Sequence, residues 1–381
     1  MKDDLKKALM VGLAFAVAAL ILLGFSGCGA AKPERHSCVW YDYFDTECTL
    51  LSYNDMSEVD KAIEIVSEKL KLYDELCDIY DESLDYVNAC ELNKLAGQGP
   101  VQVSRELFDV LKFGKEMYML TDGECNIAFG AVLSLWHDAR EAANDVSVVL
   151  QNSASESDQK AENEDKGQAA NQKGAVLPSD AALLEASMHC NIDDLILDEA
   201  ALTVELADPE MSLDLGAVTK GYVTDVVVQA LTDSGFTGYV INLGGNVKAN
   251  GEKLEGEPWV TGIANPEGKG ESAYVERVKL TTESLVTSGS YQRYFELDGK
   301  RYHHIISPET LYPKDDFLSV TILAESSAMA DALSTAVFNM AFDEGLEFIE
   351  SLEGVEAAWI FPDMSMEYSS GFRNNAIDIE R

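Results

Sequence analysis

Asp331 and Thr335 stand one helical turn apart inside an otherwise apolar stretch running from Ala330 to Met340. At positions i and i+4 both side chains share one helix face. A carboxylate in apolar surroundings is costly unless it is paired or holds a cation. Aspartate plus a hydroxyl offers two hard oxygens, the donor type that Mg²⁺ takes together with phosphate oxygens and water. The residues alone leave a second reading open, in which Asp331 caps or pairs locally.

Three further patterns carry chemistry. Asp214-Leu-Gly-Ala-Val-Thr-Lys-Gly221 reads as a strand end, a turn at Gly216 and a helix start. Unpaired N–H groups at such a start attract anions, and Lys220 adds a charge. Asn242-Leu-Gly-Gly-Asn246 follows an apolar run; its glycines suit either close approach of a ligand or an ordinary hairpin turn. The third pattern comprises Thr287-Ser-Gly289, Gln292-Arg-Tyr-Phe295, Arg301-Tyr-His-His-Ile305 and Ser307-Pro308. Alternation along a strand over Tyr302–Ile306 predicts that His303 and His304 face opposite ways, one of them a satisfied core histidine. Arg293 and Arg301 read equally well as surface ion pairs.

These patterns need elements to position them. Apolar spacing predicts helices over Val59–Tyr80, with Ile63, Val66, Leu70 and Tyr73 on one face, and over Ser104–Leu120, capped by Ser104. It predicts two more over Leu183–Met188 and Val218–Leu231. Short β-like runs fall at Leu195–Leu197, Leu202–Leu206, Tyr239–Leu243, Val275–Leu280, Tyr302–Ile306 and Leu318–Leu323. Strands broken by a few long helices predict an α+β fold. Between about Asn144 and Gly174 the chain is rich in Ser, Asn, Gln, Glu, Asp and Lys. That composition predicts a disordered acidic insertion, unable to bury enough apolar surface to offset its ordering entropy.

The N-terminus reads as an export signal. Lys2, Lys6 and Lys7 precede an apolar run from Ala8 to Leu23, and Gly24-Phe-Ser-Gly27 leads to Cys28. Small residues before a cysteine suit a lipoprotein signal peptidase, which predicts lipidation at Cys28; an uncleaved membrane anchor is the alternative. Residues 29–40 then form a tether and 41–381 the catalytic body, outside the cytoplasm on a cell membrane. Lys and Arg number 28 against 67 Asp and Glu, a net charge of −39, which argues against nucleic acid as a partner and makes a metal the natural neutraliser of any bound polyphosphate. Beyond Cys28 there are six cysteines without CxxC spacing, compatible with disulfides or buried thiols.

In this order the segments resemble the ApbE family of FAD:protein FMN transferases, from Phe44 to the C-terminus. The resemblance rests on Asn126-Ile-Ala-Phe-Gly-Ala-Val-Leu-Ser-Leu-Trp136, Asp214–Gly221, Asn242–Asn246, Thr287–Phe295, His303–Pro308 and Ala330–Thr335. It implies an α+β body with FAD in a cleft between two halves, and Mg²⁺ held by the carbonyl of Ala217 and the side chains of Asp331 and Thr335. It places Phe44, Asn93, Asn126, Ile127, Ala128, Asp214, Lys220 and Ile305 beside the flavin nucleotide. The family's early Met-Gly-Thr is Phe44-Asp45-Thr46 here, and Ser290 stands where a carboxylate or amide often follows the glycine. The implied reaction moves FMN from FAD to a Thr or Ser hydroxyl of an exported or membrane flavoprotein, releasing AMP. His304, or alternatively Asp214, would be the general base. An FAD pyrophosphatase and a flavin-binding lipoprotein without turnover are the competing readings.

Overall fold

Eight strands make the main sheet: β1 (His36–Tyr43), β2 (Thr46–Ser52), β3 (Tyr239–Leu243), β4 (Asn246–Asn250), β5 (Ser284–Gly289), β6 (Ser319–Ala324), β7 (Glu356–Ile360) and β8 (Met366–Tyr368). The computed structural model describes residues 34–154, 176–268 and 273–377. Each strand pairs antiparallel with the next in sequence, from β1 through to β8. Both faces are covered. In β7, Ala357 and Trp359 enter one core while Ala358 and Ile360 enter another, as the two-residue period of a strand requires. β6 is accordingly buried at all six positions.

Of the described helices, α1 (Met56–Cys77), α2 (Ala89–Lys94), α3 (Arg105–Leu120), α6 (Thr219–Asp233), α7 (Ser327–Asn339) and α8 (Phe342–Glu350) contribute to the core on one face, while α4 (Gly130–Ala154) and α5 (Asp180–Ser187) build a separate core. α1 buries Val59, Ala62, Val66, Leu70, Tyr73 and Leu76, one stripe at helical spacing. α7 is buried on nearly every side, lying between α6 and strands β5 and β6. The opposite face of the sheet meets a three-stranded sheet of Trp259–Ala264, Tyr274–Leu280 and Ala376–Ile377. α4, α5 and the hairpin Tyr294–Leu297/Lys300–His303 surround a third, smaller core containing Phe129, Trp136, Phe295 and Ile306. The fold is α+β.

Several boundaries differ from the sequence reading. The first helix ends at Cys77 because the Asp78 carboxylate takes the N–H groups of Tyr80 and Asp81 and turns the chain. The 29–40 tether is too long, since β1 begins at His36, pairs with β2 and is tied to α1 by the Trp40 indole donating to Ser67. α4 continues to Ala154, into the segment expected to be disordered from Asn144; residues 155–175 lie outside the described residues. So do the signal segment and Cys28. Among the described residues, no helix is long and apolar enough to cross a membrane, and the six body cysteines are all free thiols.

Candidate active site

A cleft of about 760 Å³ is walled by the Asp214–Ala217 corner, α6, α7, the β3–β4 turn and the segment around His304. Its volume falls within the roughly 300–1,000 Å³ of small-molecule sites. The corner is anchored from beneath. Asp214 donates its N–H to the Ile127 carbonyl (2.9 Å), and Leu213 is clamped by Asn93, which accepts from its N–H (2.7 Å) and donates to its carbonyl (3.1 Å). The Asn126 amide bridges to the Cys190 carbonyl and the Ala128 N–H (2.9 and 2.8 Å).

This arrangement corrects part of the flavin-side expectation. Asn93, Ile127 and Ala128 do not line the cleft. The amide of Asn93 is consumed by Leu213, and the side chains of Ile127 and Ala128 are fully buried. These three residues support the corner from within the core. Phe44, Asn126, Asp214, Lys220 and Ile305 do face the cleft, as do Ala217, Asp331, Thr335 and His304. Phe44 and Asp45 form the β1–β2 turn at φ 56° and 50°, and the Phe44 N–H donates to Asp74 (2.7 Å). Gly244 and Gly245 also have positive φ, and a Cβ on Gly244 would lie 2.7 Å from Thr46, so this hairpin turn requires glycine and also lines the cleft.

Asp331 is 4% exposed, and its Oδ2 accepts the Gly221 N–H of α6 (2.8 Å), with Lys220 Nζ at 3.7 Å. The helix start expected to attract an external anion therefore already holds one from the protein. Gly221 N–H is the donor that would otherwise close the first turn of α6 onto the Ala217 carbonyl. Diverted to Asp331, it leaves that carbonyl without a backbone donor, and Asp331 Oδ1 has no hydrogen-bond partner among the described residues. The Thr335 hydroxyl makes only a 3.5 Å contact with Ser288. Three hard oxygens with spare lone pairs thus line the same cleft, and this donor set fits a small hard cation. No cluster of three or more His, Cys, Asp or Glu suited to a metal occurs among the described residues, so any cation would depend on this mixed set.

The tandem histidines separate as alternation predicts, although the strand itself stops at His303. His303 is 3% exposed, donates from Nε2 to the Lys314 carbonyl (2.8 Å) and accepts the Ile305 N–H at Nδ1 (3.2 Å), a bond that ends the strand. It is the satisfied core histidine. His304 is open to water on its cleft side. Its Nδ1 meets the Arg293 carbonyl at 3.2 Å, which only accepts, so Nδ1 carries the proton and Nε2 is the free basic nitrogen. Enclosure by the cleft walls, with His303, Arg293 and Lys220 nearby, holds its pKa down to about 3. Enclosure has the opposite effect on Asp214, raising its pKa against the Gly216 N–H (2.8 Å) and the nearby Arg293 and Lys220.

Arg301 pairs with Glu296 at 3.8 Å, as expected of a surface arginine, whereas exposed Arg293 has no carboxylate within ion-pair distance among the described residues and faces the cleft. Arg140 was not legible from the motifs alone. It lies on the cleft-facing side of α4, donating to His137 (2.8 Å), and its pKa is lowered by burial and by Arg293. The Trp136/Arg140 spacing of one turn is the signal that could have found it. Lys220, Arg140 and Arg293 therefore bring three cationic side chains to one cleft in a strongly acidic protein.

The model of the ApbE family matches residues 44–359. This chain belongs to that family. A relative from Treponema pallidum, an FAD:protein FMN transferase, is 31% identical over 370 residues, 92% of this chain and 91% of its own. Another of that name from Klebsiella pneumoniae is 31% identical over 281 residues, covering 74% and 77%. Among solved structures, the ApbE protein of Thermotoga maritima superposes with a TM-score of 0.73 at 26% identity, covering 90% of this chain and 99% of the other. The flavin transferase ApbE of Vibrio cholerae shares the fold at a TM-score of 0.70 and 22% identity.

Proposed function

We propose that this ApbE-family enzyme is a Mg²⁺-dependent FAD:protein FMN transferase that joins FMN to a Thr or Ser hydroxyl of a flavoprotein acceptor and releases AMP. One observation carries the reading beyond the family name. A helix-start N–H is diverted to Asp331, leaving Ala217 O, Asp331 Oδ1 and Thr335 Oγ1 turned to a cleft that also holds Lys220, Arg140 and Arg293. Free oxygens beside cations suit a pyrophosphate that arrives with a divalent metal.

Bound there, Mg²⁺ would neutralise phosphate charge and stabilise the transferring phosphoryl group. The chain's own residues do the rest. Lys220, Arg140 and Arg293 orient the pyrophosphate electrostatically. His304 Nε2 accepts the proton of the acceptor hydroxyl as its oxygen bonds to the FMN-side phosphorus and the bond to the AMP phosphate breaks. With Nδ1–H fixed on Arg293 O, the imidazole presents Nε2 to the cleft for that role. Asp214, its pKa raised by enclosure, is the alternative base.

A lipid anchor at Cys28 would hold the enzyme on the outer side of a cell membrane, where an exported or membrane flavoprotein is available as acceptor; Cys28→Ser should then move it from the membrane to the soluble fraction. The decisive assay combines the protein, FAD, Mg²⁺ and an acceptor flavodomain. The acceptor should remain fluorescent after denaturing electrophoresis. AMP and free FMN released at the same rate without acceptor would instead make the chain a pyrophosphatase, and FAD retained without turnover would make it a binder.

A further inference from the structure

Two carboxylates cross between the same pair of helices in opposite directions. From α7, Asp331 accepts the Gly221 N–H in the first turn of α6 (2.8 Å). From α6, Asp225 caps α7: Oδ1 accepts the Ser327 N–H (3.0 Å), and Oδ2 accepts the Ala328 N–H (3.0 Å) and the Ser326 hydroxyl (2.7 Å). The helices touch at Gly221, where a Cβ would lie 2.4 Å from the Ser327 carbonyl oxygen and 2.5 Å from Asp331 Cβ. Beneath them Lys248 of β4, 7% exposed, brings its ammonium to 3.5 Å from Asp225 and donates to the carbonyls of Glu325 and Thr282.

We propose that Asp225 is a positioning residue for the cation-facing oxygens, acting through Asp331 and Ala217 without touching the ligand. This rests on the reading of Asp331 as a metal ligand. Ser327 and Asp331 lie one turn apart, so the Asp225 cap that pins the first fixes the second over the start of α6. Gly221 N–H has two candidate acceptors, Asp331 Oδ2 and the Ala217 carbonyl four residues back. While Asp225 holds α7 in place, Asp331 takes the N–H and the carbonyl stays free. When the cap is lost, α7 loosens, the N–H reverts to Ala217 and α6 lengthens by one residue, removing one oxygen from the cation and misaiming another. Lys248, 3.5 Å from Asp225 Oδ1, holds the half-buried carboxylate against the start of α7.

The test uses the full-length protein and Mn²⁺ as the probe, with its binding followed by electron paramagnetic resonance. Asp225→Asn places an NH₂ group against N–H donors and should weaken Mn²⁺ binding at least about ten-fold, the scale on which partners of metal ligands act. Val227→Ala, a fully buried cavity change on the same helix, serves as the stability control and should leave affinity within two-fold at a comparable loss of melting temperature. Should Asp225→Asn not fold, Ser326→Ala, which deletes one bond to Asp225 together with the cap on the Met329 N–H, should weaken binding about three-fold with the Gly221 amide exchanging faster. Wild-type Mn²⁺ affinity in the foldable Asp225 or Ser326 variant, or an equal loss in Val227→Ala, overturns the proposal. Asp331→Ala separates the two layers: if it binds Mn²⁺ normally, the metal reading falls and this proposal with it; if it loses Mn²⁺ while Asp225→Asn does not, only the proposal falls.

Discussion

His304 and Asp214 are shifted in opposite directions by the same cause. Enclosure disfavours the charged form of each, so the imidazole becomes harder to protonate and the carboxylate easier. The pH profile should therefore separate them. With its pKa down at about 3, His304 stays neutral from pH 8 to 5 and contributes no loss of rate across that range. Asp214, raised above the usual carboxylate range, picks up its proton first as pH falls, so an acid limb in kcat/KM that disappears in Asp214→Asn would assign the limb to it. Replacing His304 with Asn should lower kcat by about 10²–10⁴, the usual worth of a positioned base, with little change in KM for FAD. An unchanged kcat would remove it from the mechanism. Arg293→Met should act differently, raising KM for FAD while kcat is largely kept, because its guanidinium faces the cleft with no carboxylate within ion-pair distance among the described residues and can serve binding. Asp331→Ala should abolish both Mg²⁺ dependence and labelling.

At the scale of elements, the packing of α6 on α7 decides the outcome of a substitution that propensity alone would misjudge. Alanine is favoured over glycine inside a helix by up to about 1 kcal/mol. At Gly221 the added methyl would meet a backbone carbonyl at 2.4 Å, and overpacking of that kind costs about 1–3 kcal/mol. The clash wins. Gly221→Ala should lower the denaturation midpoint and impair metal binding together, and a stabilised, fully active variant would contradict the close approach. The elements themselves were largely legible, because the 3.6-residue stripe of α1 and the short apolar runs of β3 and β6 reflect burial against a core. Their ends were less so. Asp78 stops α1 and His303 stops its strand through side-chain bonds to later N–H groups, which depend on local geometry that periodicity does not encode.

Across the whole molecule, three cores and a continuous antiparallel sheet supply the stability without a covalent staple among the described residues. Reducing agent should accordingly leave the melting temperature unchanged, and under denaturing conditions the six body cysteines should all react with a thiol reagent. A redox-dependent melting temperature would show a bridge between them. The net charge of −39 is compatible with phosphate binding because Lys220, Arg140 and Arg293 are gathered at one cleft, where they and a divalent cation would offset carboxylates such as Asp45, Asp74, Asp214 and Asp331 that also line it.

What the sequence by itself determined was the α+β class, the family, the Asp331/Thr335 face and the core role of one of the two adjacent histidines. Each follows from a short period or an ordered set of motifs, and both are properties of the chain in one dimension. The tertiary structure decided which residues share the cleft. It moved Asn93, Ile127 and Ala128 into the support beneath Asp214, turned Arg293 and Arg140 toward the site, and joined Asp331 to a helix start 110 residues away. Those outcomes depend on long-range crossings of helices, where one N–H must choose between two acceptors, and no local pattern of residues records that choice.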